Sequence, residues 1–265
     1  MNAADISYGQ LAAGYGLLLF PFAVLLWHRV PMLGDTVISI LRMTVQLLFI
    51  GFYLQFLFRW NHPGLNLLWI AVMVLVADAS IVRGCGLQAR RFLAPLSFAL
   101  LLGVLFPLLL FVVVIIRTDP VMDARYVIPI AGMILGNCLR ADIVGIRSFY
   151  ESIHNQEKAY LHALASGARL HEAVLPFMRD ALRDALAPTV ATMATMGVVS
   201  LPGMMTGAIL GGSDPATAIK YQIAIMLAIF SGTAITVTAA VYLTLHRSFT
   251  PYGLLDKGIF NTTRS

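Results

Sequence analysis

The chain has 265 residues, of which 59% are hydrophobic and only 12% charged, where a soluble domain carries roughly 25%. That composition excludes a soluble globular domain, and the net charge of +5 is no nucleic-acid signal, because the basic residues follow a membrane pattern. Little sequence is left for a separate soluble unit, so residues 1–265 read as one all-α, polytopic membrane domain.

In chain order the apolar windows are Leu11–Trp27, Val37–Phe58, Leu65–Val82, Phe92–Ile116, Val127–Ile146, Pro188–Gly211 and Ile219–Leu245. About 20 helical residues cross the hydrocarbon layer, so these windows predict about seven transmembrane helices. No basic stretch precedes the first apolar run, and a cleaved signal peptide is not expected. With the N-terminus outside, twelve of the 18 Lys and Arg residues fall on the cytoplasmic side and four outside; Arg42 and Arg140 lie within spans. That bias predicts an N-out, C-in topology. Cys85 in a cytoplasmic loop and Cys138 in the fifth span are not expected to form a disulfide. The Asn261-Thr262-Thr263 sequon falls in the cytoplasmic tail and reads as a chance match.

Within the spans, Arg42, Asp78, Arg140 and Asp142 are costly, at about 2.5–3.5 kcal/mol each near a helix centre. Arg42 and Asp78 sit at similar depth on consecutive spans, which suggests an ion pair at the inner mouth; its role is either structural or gating. Gln46 and Asn137 lie nearer mid-membrane, as path lining or as ordinary interhelical glue. Gly132 and Gly136 have the GxxxG spacing that permits close helix contact. The sixth span contains Ser200-Leu-Pro202-Gly203-Met204-Met205-Thr-Gly207, where proline removes a backbone hydrogen bond and glycine relaxes the chain. A kink or re-entrant turn is expected there, facing the translocation path or serving packing alone. Met193, Met196, Met204 and Met205 cluster in the same span, suited to a soft metal or to filling apolar gaps. All six histidines lie outside the spans, so no His/Asp/Glu ladder crosses the membrane. Asp214 and Lys220, near the outer helix ends, read as solvated.

Residues 147–187 form the one long polar island, holding ten of the 31 charged residues, five of each sign. Tyr150, Ile153, Glu157, Tyr160, Leu161, Leu164 and Ala168 recur at helical spacing, as do Leu175, Met178, Leu182 and Leu186. Ser166-Gly167-Ala168 predicts a turn between two helices, with Pro176 in the first turn of the second or at a kink. Pattern alone fits equally a hairpin lying on the inner membrane surface and an element that docks a soluble partner through its small-residue bend. None of the three lysines belongs to a GxxxxGK[ST] loop, and neither a nucleophile elbow nor an HExxH motif is present. The chain therefore has no P-loop with which to hydrolyse nucleotide and is not expected to be an enzyme.

The run from Glu157 through Gly167 to Pro176 resembles the cytoplasmic coupling segment of ABC transporter permeases, although Lys158 and the short glycine-to-proline interval depart from the importer pattern. Tyr126–Asn137, Val199–Pro215, Ala218–Met226 and Arg42-Met-Thr-Val-Gln-Leu47 are similar to the FetB family of ABC permeases, so the resemblance covers nearly the whole chain. Ala208 stands where that family pattern suggests glutamine. The resemblance implies a permease of the bacterial inner membrane that exports a metal ion, iron in the first instance. A separate P-loop ABC ATPase would bind the ATP and Mg, and this chain would bind no cofactor. It further implies docking around Glu157, Ala163, Ala165, Gly167, Ala168 and Arg169. Gln46, Asn137, Pro202, Gly203, Met204 and Met205 would line the path, with Arg42 and Asp78 at the inner mouth. Two permease copies would pair within the bilayer, since seven helices seldom enclose an ABC pore alone; the metal ligands are unassigned. Plant relatives of the family are linked to aluminium tolerance and nucleotide-sugar transport, so an organic solute is the alternative cargo. A transporter or channel working without ATP is the alternative class.

Overall fold

Helix-end signals set the element boundaries in the computed structural model, which describes residues 6–117, 121–250 and 252–259. The sequon at Asn261 and the basic residue Arg264 lie outside the described residues, as does the Lys257 side chain. Helix α1 (Tyr8–Gly14) runs through a 3-10 turn into α2 (Leu19–Trp27), and α3 (Leu33–Trp60) follows. His62 caps α4 (Pro63–Cys85), with Pro63 at its first position and Gly86, at φ +67°, ending it. After α5 (Ala89–Leu110) and a π-helical turn, Asp123 caps α6 (Ala124–Asn155). The island contributes α7 (Glu157–Ala165) and most of α8 (Leu170–Thr195), and the chain closes with α9 (Gly203–Leu210) and α10 (Pro215–Ser248). Asp214 is not merely solvated: its Oδ2 accepts from the Thr217 amide at 3.0 Å and caps α10.

Among the described residues six helical stretches, not seven, are long and apolar enough to cross a membrane: Tyr8–Trp27, Leu33–Trp60, Pro63–Cys85, Ala89–Ile116, Ala124–Asn155 and Pro215–Ser248. The expected span Pro188–Gly211 is divided. Helix α8 ends at Thr195, and α9 restarts at Gly203 after a non-helical segment, residues 196–202. Gly197 adopts φ +87° there, and its amide donates to the Ser200 carbonyl at 2.9 Å.

Helices α4, α5, α6, α8 and α10 form the bundle, around buried residues such as Ile81, Leu96, Leu100, Ile134, Phe149 and Val241. Its tightest crossing joins α5 to α10. A Cβ on Gly103 would stand 2.8 Å from the Gly232 carbonyl oxygen, and one on Gly232 would stand 2.7 Å from that of Gly103. A second close approach is Gly145 of α6, whose Cβ would lie 2.7 Å from Val237 and 3.2 Å from Ala185. The GxxxG pair plays no such part: Gly136 has nothing within 4 Å, and Gly132 meets only the Met73 methyl.

Helices α1 to α3 are different. Leu57 is their one buried residue, and α3 meets the bundle through its last turns, where Leu57 packs with Leu65, Trp69, Ala124 and Ile128. The Tyr53 ring packs tilted against Trp69 with centroids 4.3 Å apart, and the Asn61 side chain accepts from the Ala124 amide at 2.9 Å. Near its middle, α3 is tied to the 3-10 turn before α2 by the Tyr15–Thr44 hydroxyl pair at 2.5 Å. The two form an arm anchored at one end.

Candidate functional site: the elbow and the membrane interior

Helix α7 ends in a Schellman turn. Gly167, at φ +92°, donates to the Leu164 carbonyl at 3.0 Å, and Ala168 donates to that of Ala163 at 3.1 Å. The Glu172 carboxylate accepts from the Arg169 amide at 2.8 Å and so caps α8. Glu157, Ala165, Gly167 and Arg169 are exposed on this elbow, while Ala163 and Ala168 are half-buried. The expected turn is therefore present, and its small residues sit at the tip.

The island does not lie flat. Helix α8 packs lengthwise on α6 and α10 through Ala173, Val174, Phe177, Met178, Ala181 and Ala185, so the elbow extends the bundle outward. The expected stripe through Leu175 is offset, for Leu175 is exposed. Alanines face inward because α8 approaches Gly145 too closely for larger side chains. Pro176 lies well inside α8 and not in its first turn.

Tyr160, only 2% exposed, holds α7 in place. Its ring packs on Phe177 and Phe249, and its hydroxyl donates to the Gly253 carbonyl at 2.5 Å. Burial pushes this phenol up to about 12. Residues 252–259 thus form a strap. Besides receiving Tyr160, the strap joins Asp256 to Arg91 at 2.8 Å, and its Ile259 carbonyl accepts from the Gln88 amide at 2.9 Å. The Gly258 amide, with Arg91 beside it, holds the Asp256 carboxyl below the usual carboxylate range. Behind the elbow opens a cavity of about 690 Å³ whose lining includes Cys85, Arg147, Glu151, His154, Glu157 and Tyr160. Sequence pattern marks Tyr160 only as one member of a helical stripe and carries no signal for the strap.

Arg42 and Asp78 are not paired. The ion pairs among the described residues are Arg91–Asp256 and His171–Glu172. Arg42 is exposed on the free part of α3, whereas Asp78 is wholly buried in the bundle and accepts from the Ser97 hydroxyl of α5. Similar depth on consecutive helices did not bring them together, because α3 reaches the bundle only near its far end. Asp142 is also fully buried, and among the described residues neither of its oxygens nor Oδ1 of Asp78 has a hydrogen-bond partner. The nearby Thr236 hydroxyl donates instead to the Thr233 carbonyl at 3.2 Å.

The remaining path candidates are spread over the free faces. Gln46 is exposed on α3. Asn137 is half-buried, donates to the Met133 carbonyl at 2.8 Å, and lines a groove of about 200 Å³ with Arg140, Thr189 and Thr192. Pro202 stands at the N-cap of α9 and not inside a helix; Gly203 and Met204 are exposed, and Met205 is buried against the chain's own bundle. Gln222, unremarked in the sequence, reaches the Met196 sulfur at 3.9 Å and ties α10 to the broken segment. Among the described residues, no three His, Cys, Asp or Glu side chains are grouped closely enough to hold a metal.

The six long apolar helices among the described residues define a multi-pass membrane protein. The chain belongs to the UPF0014 family, described as an uncharacterised protein family, whose model matches residues 8–249. It is 31% identical to Protein ALUMINUM SENSITIVE 3 of Arabidopsis thaliana over 261 residues, covering 96% of this chain and 92% of the relative. It is also 31% identical over 252 residues to the Probable iron export permease protein FetB of Escherichia coli K12, covering 94% and 95%. UPF0014 membrane protein STAR2 of Oryza sativa subsp. japonica is 31% identical over 240 residues, with 88% and 80% covered. No solved structure matches the chain.

Proposed function

We propose that the chain is the membrane subunit of an ABC transporter, exporting a metal ion, iron first among the candidates, with ATP hydrolysed on a separate P-loop subunit. Two copies enclose the path in an inner membrane, N-terminus outside and C-terminus cytoplasmic. One observation bears most on the pairing. Arg42 and Gln46 on α3, Arg140 beside the Asn137 groove, and the non-helical residues 197–201 are all exposed on the single chain, and the proposed topology puts them at membrane depth. Polar groups and irregular backbone at that depth are tolerated against protein or a water-lined cavity, and not against lipid. A second copy supplies the first and the path between copies the second. Gln46, Asn137, Pro202, Gly203 and Met204 then border the path, while Met205 supports it from within the bundle.

The elbow supports the docking assignment. It is a projecting, small-residue turn braced by Tyr160 and the strap, so a push on Gly167 reaches α5, α8 and α10 as one body. The cavity behind it gives a partner side chain somewhere to enter, with Glu157 on its wall. ATP and Mg belong to that partner in this reading. Co-purification from membranes should bring down a P-loop ATPase, and Gly167→Glu should abolish ATP-driven transport while leaving the bundle folded. An unchanged transport rate in that variant, with no ATPase associated, would return the protein to the ATP-independent class. Reconstituted vesicles offered labelled iron or labelled nucleotide sugars decide the cargo; uptake of the sugar alone would replace the metal.

A further inference from the structure

We propose that the basic pocket where α5 begins and α10 ends binds the phosphate headgroup of an anionic phospholipid. This site is separate from the docking elbow and the path, and holds in either orientation of the chain. Gln88, Arg90, Arg91 and Arg247 line a cavity of about 640 Å³. Two of the three guanidiniums are already positioned: Arg91 by Asp256 at 2.8 Å, and Arg247 by the Arg91 carbonyl at 2.6 Å. Each is held in these contacts through one of its nitrogens, whereas a guanidinium offers five donors in a planar fork that matches phosphate. Arg90 has no partner among the described residues. Asp256 neutralises one charge of three, leaving the pocket net positive.

The start of α5 adds to that potential. A helix N-terminus is a partial positive charge that favours acids, yet this first turn contains no acid, holds Arg90 and Arg91, and has no side-chain cap. For the chain alone the placement is unfavourable. The Arg91 amide already donates to the Gln88 carbonyl, so an anion at the remaining Ala89 and Arg90 amides and the guanidiniums reverses the sign.

The apolar surface below the pocket distinguishes a lipid from free phosphate. Immediately after Arg91, Phe92 is fully buried, and α5 continues as a membrane span. On the face of α5 below Arg91, Phe98, Leu102, Phe106 and Leu109 recur at helical spacing and are all exposed. On α10, Tyr242 and Leu243 are exposed one turn below Arg247. The arginines therefore stand at the headgroup level of an uncovered apolar wall, the arrangement that phosphate and acyl chains require together. A zwitterionic headgroup brings an amine to the same arginines and is disfavoured.

The test uses the purified full chain in neutral detergent, with bound lipid counted by native mass spectrometry and melting followed by a thermal shift. Phosphatidylglycerol should be retained and raise the melting temperature, whereas phosphatidylcholine and inorganic phosphate at equal concentration should not. Arg90→Ala with Arg247→Ala should weaken phosphatidylglycerol binding about 30-fold, and Arg125→Ala at the opposite end should leave it unchanged. Asp256→Asn, which frees Arg91, should tighten it. Equal shifts from phosphatidylcholine, an unaltered affinity in the double variant, or weaker binding in Asp256→Asn would each overturn the proposal. Reproduction of the whole shift by inorganic phosphate would overturn the lipid assignment in favour of a free-anion site. Neither ATPase association nor transport enters these readouts, so this proposal and the functional one fail separately.

Discussion

The N-terminal arm and the bundle are both built from long apolar helices, yet they use their surfaces in opposite ways. In the bundle, side chains turn inward, and its backbones meet at Gly103–Gly232 and at Gly145. The arm buries Leu57 alone and presents Asp35, Ser39, Arg42 and Gln46 along one exposed face of α3. In water an unburied apolar helix would be unstable, but in lipid apolar exposure costs nothing. Polar exposure then becomes the informative quantity. By that measure the bundle leaves Arg140 and the Asn137 groove open, whereas the arm leaves a whole polar face.

The sharpest way to break this comparison is to place the same side chain in both regions. Gly103→Leu drives a side chain into the Gly232 carbonyl and the backbone of Thr236, where neither can yield. Overpacking of this kind costs about 1–3 kcal/mol or more, and the expected outcome is loss of the monodisperse peak in size-exclusion chromatography after detergent extraction. Gly51→Leu in α3 meets nothing within 4 Å and should be tolerated or slightly stabilising, since glycine disfavours helix by about 1 kcal/mol. Equal damage from both would mean that the arm is packed as tightly as the bundle.

A second contrast concerns charge. Arg42→Leu with Gln46→Leu should leave the melting of the detergent-extracted chain within about 0.5 kcal/mol of the parent, as for surface positions. Transport in vesicles should nevertheless fall, because in the proposed assembly those side chains face the second copy or the path. Unimpaired transport would reduce the arm's polar face to ordinary snorkelling. A smaller effect is expected at the elbow. Tyr160→Phe removes one buried hydrogen bond, worth about 1 kcal/mol, and should raise proteolysis within residues 252–259 without loosening the bundle. With the phenol raised from 10 to about 12, its contribution is intact below pH 10 and is lost as pH rises through about 12. Protection of the strap should follow that course.

Much of this architecture was legible because membrane helices are specified by length and composition, which a sequence displays directly. The turn at Gly167 was also legible, since a positive φ selects for glycine. Rotation and neighbours were not. Depth along a helix suggested Arg42 beside Asp78, but nothing in either window says that α3 swings away while Asp78 turns toward Ser97. The glycines that meet, Gly103 and Gly232, lie on α5 and α10, far apart in sequence, so no local motif marks them. The GxxxG pattern that was visible serves no close contact. The interruption of the sixth span was legible at Pro202 and Gly203, but its start was not: the helix already stops at Thr195, and the chain turns at Gly197. Asp142 was visible as a costly residue, but its two unpartnered oxygens emerge only when α6 is packed. The strap has no periodicity to read, because its contacts are single hydrogen bonds to distant helices.

The smallest expected effect lies where the strap meets the bundle. Asp256 accepts from the Gly258 amide at 2.9 Å and pairs with Arg91 at 2.8 Å, and both hold its carboxyl below the ordinary 3.8. A carboxyl lowered by folding contributes stability above its unfolded value, and that contribution disappears as pH falls through the lower folded value. The clasp should therefore be insensitive from neutrality down to about pH 4 and open only in stronger acid. Arg91 and Asp256 are both substantially exposed, so salt screens the pair and the global melting temperature should scarcely move. Hydrogen exchange at the Gly258 and Ile259 amides is the appropriate probe, since it reports local opening that melting does not. Asp256→Asn should show, at neutral pH, the exchange that the parent shows only in acid. Loss of protection in the parent already near pH 6 would mean that Asp256 does not control the strap.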